Sequence, residues 1–187
     1  MVSADSCAYV EGYSARVFKK NASCRAVYQY AKEHLPRYSK VLLAMRWGSQ
    51  MPENSNSLSY DNDFFKKFDT MLQTLSSEKQ IVYLMTDNQT LSYNALRAYM
   101  LSSRIPGYNQ NLHSDDEATT KGNNHIKKLT TKYPNIHIIN TTAYIPENFK
   151  INGLPIYSDK DYINFYGGIE LVKLPAKIGR ASCRERV

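Results

Sequence analysis

The sequence contains no long apolar run. No stretch of the 187 residues approaches the roughly 18–20 consecutive apolar residues that a membrane-spanning helix needs. Residues 1–5 also lack the basic and apolar regions of a secretory signal peptide. A secreted location would therefore have to come from sequence outside these residues.

The sequence also has no nucleic-acid-binding motif. Its formal net charge is +7, from 24 basic and 17 acidic side chains. The basic pairs are scattered along the chain, at Lys19-Lys20, Lys66-Lys67 and Lys127-Lys128. Scattered cations are typical of a solvated surface, whereas a nucleic-acid footprint is a concentrated basic patch. We predict no nucleic-acid partner.

Potential metal ligands are sparse as well. A metal-dependent hydrolase needs clustered histidine and carboxylate ligands. The only hint is His113-x-Asp115-Asp116, which we interpret as a solvated acidic loop. We predict neither a metal nor a cofactor.

What the chain does contain is the composition of an ordinary soluble globular protein, with 42% apolar and 22% charged residues. Its length suits one domain with a substantial core. Fifteen tyrosines are unusual in a chain of this size. Aromatic hydroxyls suit carbohydrate faces and half-buried surfaces alike, so they only favour a glycan-facing protein.

Hydrophobic periodicity predicts helices that alternate with short strands. Apolar residues recur at three- and four-residue steps in four segments, and continuous apolar runs of strand length occur in three. The predicted helices are residues 24–35, a stripe from Phe64 to Leu75, residues 92–104 with Leu96, Tyr99 and Met100 on one face, and residues 120–132. The predicted strands are residues 41–45, which we expect to be buried on both faces of the sheet, residues 81–85, which we also expect to be buried, and residues 136–139. This alternation predicts an α/β protein with a parallel sheet.

Sites in parallel sheets lie at the carboxyl ends of the strands. We therefore expect Arg46-Trp47-Gly48, Thr86-Asp87-Asn88 and the loop after Ile139 to lie on one rim. For Trp47, a place in the hydrophobic core is an equally good alternative to a place in the site.

The stretch from Ile156 to Gly168 turns from an extended run into a helical segment, which Asp159 or Asp161 could cap. It resembles the last sequence block of SGNH (GDSL-like) hydrolases, in the form found in extracytoplasmic domains fused to acyltransferase-3 membrane proteins. That pattern, Tyr-x-Asp-x-x-His-Leu-Ser/Asn-x-x-Gly, is matched by Tyr157, Asp159, Ile163, Asn164 and Gly167. The order of helix, link, apolar strand and Arg46-Trp47 is similar to the family's second block.

The resemblance implies a fold, an activity and a location. The fold would be a flavodoxin-like, three-layer α/β/α arrangement with a mainly parallel sheet. The activity would be O-acyl transfer: a membrane domain delivers an acetyl group, and the SGNH domain passes it through an acyl-serine to a cell-surface polysaccharide. Asp159 would orient the histidine base, Arg46, Trp47 and Asn88 would line the pocket, and amides near Gly48 would bind the oxyanion. The location would be the periplasmic or extracellular face of a bacterial inner-membrane protein.

Two departures from the family bear on activity. Tyr162 stands where the family has its histidine, and a phenol with a pKa of about 10 is a poor substitute for an imidazole with a pKa of about 6.5. No Gly-Asp-Ser motif occurs in the chain, since Asp5-Ser6-Cys7 lacks the glycine and the preceding apolar strand. We expect this chain to be inactive, either as a fragment of an O-acyltransferase or as a catalytically degenerate domain that binds glycan or supports the membrane enzyme.

The same resemblance sets the expected domain limits and a cysteine pairing. Residues 1–174 would form one partial SGNH domain without its first strand, and residues 175–187 resemble a translated adapter or vector remnant that contains Cys183. On the residues alone, Cys7 and Cys24 are equally compatible with two unpaired thiols. The family has a cysteine pair at similar spacing, which implies a Cys7–Cys24 disulfide and an oxidising compartment.

Overall fold

Helices and short strands alternate along the computed structural model, which describes residues 9, 10, 13, 22–48, 62–78, 80–114, 117–171 and 173. The helices are α1 (Ala22–His34), α2 (Asn62–Ser77), α3 (Ala95–Ser102), α4 (Glu117–Thr130) and α5 (residues 165–171), with 3-10 turns at Leu35–Arg37 and Thr141–Tyr144. The strands are β1 (Lys40–Ala44), β2 (Ile81–Met85), β3 (Ile136–Ile139), β4 (Lys150–Ile151) and β5 (Leu154–Pro155). No helix in these ranges is long and apolar enough to cross a membrane.

The chain divides into two compact units. The first comprises Met1–Asp87 with Ala118–Ile139, and the second comprises Asn88–Glu117 with Asn140–Val187. Strands β1, β2 and β3 form a parallel sheet in the first unit, with β2 in the middle. The predicted α/β class and parallel sheet are confirmed.

The core of the first unit lies on one face of this sheet. Val82 and Leu84 of β2 are fully buried there, together with Ile126 of α4. The predicted apolar stripe of α2 is also buried throughout: Phe64, Phe65, Phe68, Met71, Leu72 and Leu75. Each large apolar side chain removed from water in this way contributes roughly 1.5–3 kcal/mol to the free energy of folding.

The prediction that β1 is buried on both faces is wrong. Val41 is buried, whereas Leu42 is 57% exposed. Successive side chains of a strand point to opposite faces, so the residues on the face opposite the core remain accessible to solvent. On the same face, the half-buried Tyr83 ring lies 5.6 Å from the exposed His137 ring in the neighbouring strand.

Helix α3 of the second unit is buried through its small residues. Asn94 caps the helix, since its side chain accepts a hydrogen bond from Arg97 N. The small residues Ala95 and Ala98 are buried, whereas Leu96 and Met100 are 41% and 44% exposed. The face of α3 that carries Leu96 and Met100 is therefore accessible, because the helix packs through its small side chains.

A hairpin that the periodicity did not predict follows in the second unit. Strands β4 and β5 pair antiparallel across Asn152-Gly153, whose φ angles are 50° and 80°. Positive φ at both central residues is the geometry of a type I′ turn, for which Asn-Gly is a preferred sequence. The dipeptide was the available signal. The hairpin leads into the buried Ile156 and Tyr157, which belong to the core of this unit.

Candidate functional site

The rim at the carboxyl ends of β1 and β2 carries an ion pair. Arg46 follows β1 and Asp87 follows β2, and the Arg46 Nε lies 3.7 Å from the Asp87 Oδ2. The Arg46 side chain is 47% exposed and that of Asp87 only 13%. The structure therefore holds an accessible guanidinium beside a mostly buried carboxylate at this rim.

Trp47 is a buried core residue of the first unit. Its indole Nε1 donates a hydrogen bond of 2.8 Å to Met85 O, and its ring lies 5.1 Å from that of Phe68. The side chain is fully buried. It anchors the end of β1 to the end of β2, while its predicted role in lining a substrate pocket stays a prediction.

Gly48 packs directly against the backbone of helix α4. A Cβ atom at Gly48 would lie 2.8 Å from Thr119 N, and a Cβ atom at Gly122 would lie 2.7 Å from Gly48 N. Only residues without a side chain permit so close an approach of the two backbones. The two glycines thus set the position of the rim loop on α4. The predicted role of amides near Gly48 as oxyanion donors is untested.

Sequence reasoning missed Asn123, which holds the end of β2. Its Oδ1 accepts a hydrogen bond of 2.8 Å from Asp87 N, and its Nδ2 donates one of 3.0 Å to Asp87 O. Asn123 is only 5% exposed. An asparagine inside a helix is a weak helix former, and this was the signal that could have marked it.

Asn88, the next residue after Asp87, carries a buried oxygen. Its Oδ1 has no hydrogen-bond partner within the part of the chain that the structure describes. Buried polar atoms are nearly always paired, so an exception calls for an explanation such as an unseen ligand or water. This oxygen is consistent with the role in substrate binding that was predicted for Asn88, which remains to be tested.

Asp159 organises a tight loop in the second unit. Its Oδ1 accepts hydrogen bonds from Asp161 N at 2.7 Å and Tyr162 N at 2.8 Å. The loop is closed by a bond from Ser158 N to Tyr162 O, also 2.8 Å long, and by a bridge between Tyr157 and Ile163. The carboxylate that the sequence singled out is therefore a structural centre of this loop.

The side chain of Tyr162 is 66% exposed. Because Tyr162 N is bonded to Asp159 Oδ1, residue 162 is held next to the carboxylate by the backbone, whatever side chain it carries. The arrangement can present a carboxylate and a neighbouring side chain to a ligand. With tyrosine at position 162, it provides no imidazole to accept a proton.

Helix α5 is capped by Asn164 rather than by Asp159 or Asp161. The Asn164 Oδ1 accepts a hydrogen bond of 2.7 Å from Gly167 N. The expected cap at Asp159 or Asp161 is therefore wrong, since the carboxylate of Asp159 serves the preceding loop. Gly167 itself packs against Ile156, whose Cα would lie 2.9 Å from a Cβ atom at this position. This close packing explains the glycine at this position of the family pattern.

Several predicted residues fall outside the described ranges. Cys7 is among them, whereas Cys24 is buried at 3% exposure. The Cys7–Cys24 disulfide accordingly stays a prediction. Asp115 and Asp116 also lie outside, so the structure does not test the interpretation of the acidic loop after His113.

The family of the chain follows from its sequence as a whole. Residues 1–174 match the model of the SGNH domain that is fused to AT3 domains. The chain belongs to this family, as the resemblance of its C-terminal stretch predicted. No curated protein is significantly similar to it in sequence.

The fold is similar to that of a solved domain. The periplasmic domain of a lipopolysaccharide acetyltransferase from Salmonella ser. Paratyphi A superposes with a TM-score of 0.53 at 13% sequence identity. The match covers 83% of this chain and 63% of that domain, so the chain spans less than two thirds of its length. At this identity the similarity shows the α/β fold alone.

Proposed function

We propose that this chain is the extracytoplasmic SGNH portion of a membrane O-acyltransferase that transfers acetyl groups to a cell-surface polysaccharide. The carrying observation is the loop around Asp159, which lies within the family match and holds residue 162 against the carboxylate. The acyl donor would reach it from an AT3 membrane domain. The similar Salmonella domain is periplasmic, which supports the same side of the membrane for this chain.

In this proposal Asp159 is the acidic member of the catalytic group. A carboxylate beside the base fixes its tautomer and orientation and stabilises the cation formed when the base takes a proton from serine. Asp159 has the geometry for such a role, because its Oδ1 is fixed by two backbone amides. The nucleophile is not supplied by a Gly-Asp-Ser motif in these 187 residues.

Residues of the rim would bind the acceptor or stabilise charge. Arg46 is the accessible cation there and Asn88 carries the buried oxygen without a protein partner in the described ranges. A fixed cation or amide that faces developing negative charge lowers the energy of a transition state. Trp47 and Gly48 would act by positioning this rim, since both are buried.

A second candidate is a catalytically degenerate SGNH domain that binds glycan or supports the membrane enzyme. Tyr162 favours this candidate, because its exposed phenol stands where the family has an imidazole. The Oδ1 of Asp159 already accepts hydrogen bonds from two backbone amides. These bonds are also what a purely structural role of Asp159 would need. Both candidates share the fold and the family.

The two candidates differ in acetyl transfer by the parent protein. We would express the complete reading frame that contains this chain in cells lacking the native gene. Acetate released by alkali from purified surface polysaccharide then reports transfer. If the protein with Tyr162 transfers acetyl groups and Asp159→Asn abolishes transfer, the domain is catalytic as proposed.

Matched variants make the result specific. Asp161→Asn removes the other carboxylate of the loop and should leave transfer unchanged. Tyr162→His restores the family residue, and transfer that appears only in this variant would support the degenerate domain. Transfer that survives Asp159→Asn would overturn the role of Asp159 in either case.

A further inference from the structure

A cavity of about 330 Å³ lies within the second unit, and none of its lining residues belongs to the candidate site described above. Its volume is at the lower end of the range for small-ligand clefts, roughly 300–1,000 Å³. The lining comes from α3, from the loop that follows it and from the turn before β4. These segments combine apolar surface with a high density of side-chain amides.

The amides come from two separate segments. Asn109, Gln110 and Asn111 lie in the loop after α3, and Asn148 lies before β4. Within the described part of the chain, the side chains of Asn109 and Asn111 form no hydrogen bond, ion pair or ring contact. A carboxamide both donates and accepts hydrogen bonds, which matches the paired hydroxyl groups of a sugar ring.

The apolar part of the cavity is formed by α3. Ala95 and Ala98 are buried small residues, and the half-buried Tyr99 lies beside them. A sugar ring has polar edges and apolar C–H faces, so it packs well on an aromatic body with a polar tip. Glu147 and Lys150 add one charge of each sign to the lining. The balance of these charges favours a neutral ligand.

The amide-bearing loop is held by backbone hydrogen bonds on both sides. Tyr108 N donates to Ile105 O at 3.1 Å before it, and Ser92 N donates to His113 O at 2.9 Å after it. Fixed ends reduce the entropy lost when a ligand orders the side chains between them. The loop is therefore suited to present its amides in a defined position.

A strained residue fixes the other wall. Phe149 has a φ of 54°, in the left-handed region that bulky side chains rarely adopt. Its buried ring lies 6.1 Å from that of Tyr157 in the core, while its neighbours Asn148 and Lys150 line the cavity. Such strain persists where the surrounding structure enforces it, and it is common at ligand-binding sites.

We propose that this cavity is a subsite for a neutral sugar unit, with the amides of Asn109, Asn111 and Asn148 at its hydroxyls and Tyr99 against its apolar face. The inference deepens the proposed function, because the polysaccharide acceptor supplies the sugar. It does not require catalysis, since a non-catalytic glycan-binding domain would use the same cavity.

The test is a titration of the ¹⁵N-labelled 187-residue chain, followed by NMR of its side-chain amides. The probes are methyl glycosides of neutral hexoses and 6-deoxyhexoses, and the polysaccharide that remains when the lipid is removed from lipopolysaccharide. We expect saturable shifts at Asn109 and Asn111. The double variant Asn109→Ala with Asn111→Ala should weaken binding by about tenfold, in line with two lost hydrogen bonds. Asn124→Ala, an exposed amide on α4, is the control and should leave affinity unchanged.

Either of two results would overturn the subsite. The first is the lack of saturable shifts with every probe, and the second is binding that the double variant leaves intact. The experiments also distinguish failure of the subsite from failure of the proposed function. If the double variant leaves sugar binding intact while the parent protein transfers acetyl groups, the function stands and the subsite falls. If the chain binds sugar in this cavity but the parent protein transfers no acetyl groups, the subsite is supported and the proposed acetyl transfer is not.

Discussion

The side-chain amide of Asn123 brackets the backbone of Asp87, accepting from its N–H and donating to its C=O. Asn123→Ala would leave both backbone groups without this partner, so we expect a loss of about 2 kcal/mol in the free energy of unfolding. Chemical denaturation measures it. Asn124→Ala on the solvent side of α4 is the matched control, and should change stability by less than about 0.5 kcal/mol. Equal effects of the two variants would contradict the assigned role of Asn123.

Adjacent glycines in α5 should respond in opposite directions to the same substitution. A Cβ atom at Gly167 would meet the backbone of Ile156, whereas one at Gly168 meets nothing within 4 Å. We expect Gly167→Ala to destabilise the protein by about 1–3 kcal/mol through overpacking. Gly168→Ala should stabilise it by about 0.5–1 kcal/mol, because alanine is favoured over glycine inside a helix. Thermal or chemical unfolding of both variants measures these changes in stability. A Gly167→Ala variant as stable as the original chain would contradict this packing.

The periodic signals predicted the elements because apolar spacing reflects burial directly. The stripe from Phe64 to Leu75 is buried as predicted, and β2 has the predicted limits. The same signals were wrong where exposure depends on neighbours remote in sequence. Leu42 lies in an apolar run but on the accessible face of the sheet.

The candidate site was predictable only in part, for a similar reason. Asp159 stood out because its family pattern is local, within one short loop. Asn123 did not, because its partner Asp87 is 36 residues away and no local pattern links them. The contact between Gly48 and Gly122 was missed likewise, since it exists only once the rim loop reaches α4.

The two roles of Asp159, as hydrogen-bond acceptor and as charge, can be separated by substitution. Asp159→Asn keeps an oxygen for the amides of Asp161 and Tyr162, and asparagine is well accepted in such turns. We expect its unfolding free energy to stay within about 0.5 kcal/mol of the original. Asp159→Ala loses both bonds and should cost about 1–2 kcal/mol. Chemical denaturation of the two variants provides the comparison, and equal stability of Asn and Ala variants would show that the loop does not depend on this oxygen.

The predicted Cys7–Cys24 disulfide has a simple chemical test. The chain contains three cysteines, Cys7, Cys24 and Cys183. Under denaturing conditions without reductant, a pair would leave one thiol per chain to react with a thiol reagent, and reductant would raise the count to three. Peptide mapping should then identify the linked Cys7 and Cys24 peptides. Three reactive thiols in protein made in an oxidising compartment would refute the pairing.

Protonation of His125 should weaken the first unit as the pH falls. Burial lowers the pKa of this imidazole first, and the nearby cations Lys128 and Lys132 lower it further, against the opposing effect of Asp69. Its ring also packs 4.2 Å from that of Phe65. A histidine whose pKa is lower in the folded than in the unfolded chain stabilises the fold above its ordinary pKa of about 6.5, and this contribution declines as the pH falls towards the folded value.

Unfolding free energies measured between pH 8 and pH 5, a range chosen to bracket the roughly 6.5 of a free imidazole, would reveal the contribution of His125. We expect the His125→Gln variant to lose less stability over this range than the original chain, because glutamine takes up no proton. His137→Gln, at an exposed position on β3, is the matched control for the loss of a histidine. If the unfolding free energies of the original chain and of His125→Gln change with pH in the same way, then the pKa of His125 is not lower in the folded chain than in the unfolded chain. The loss of stability in acid would then have to come from groups other than His125.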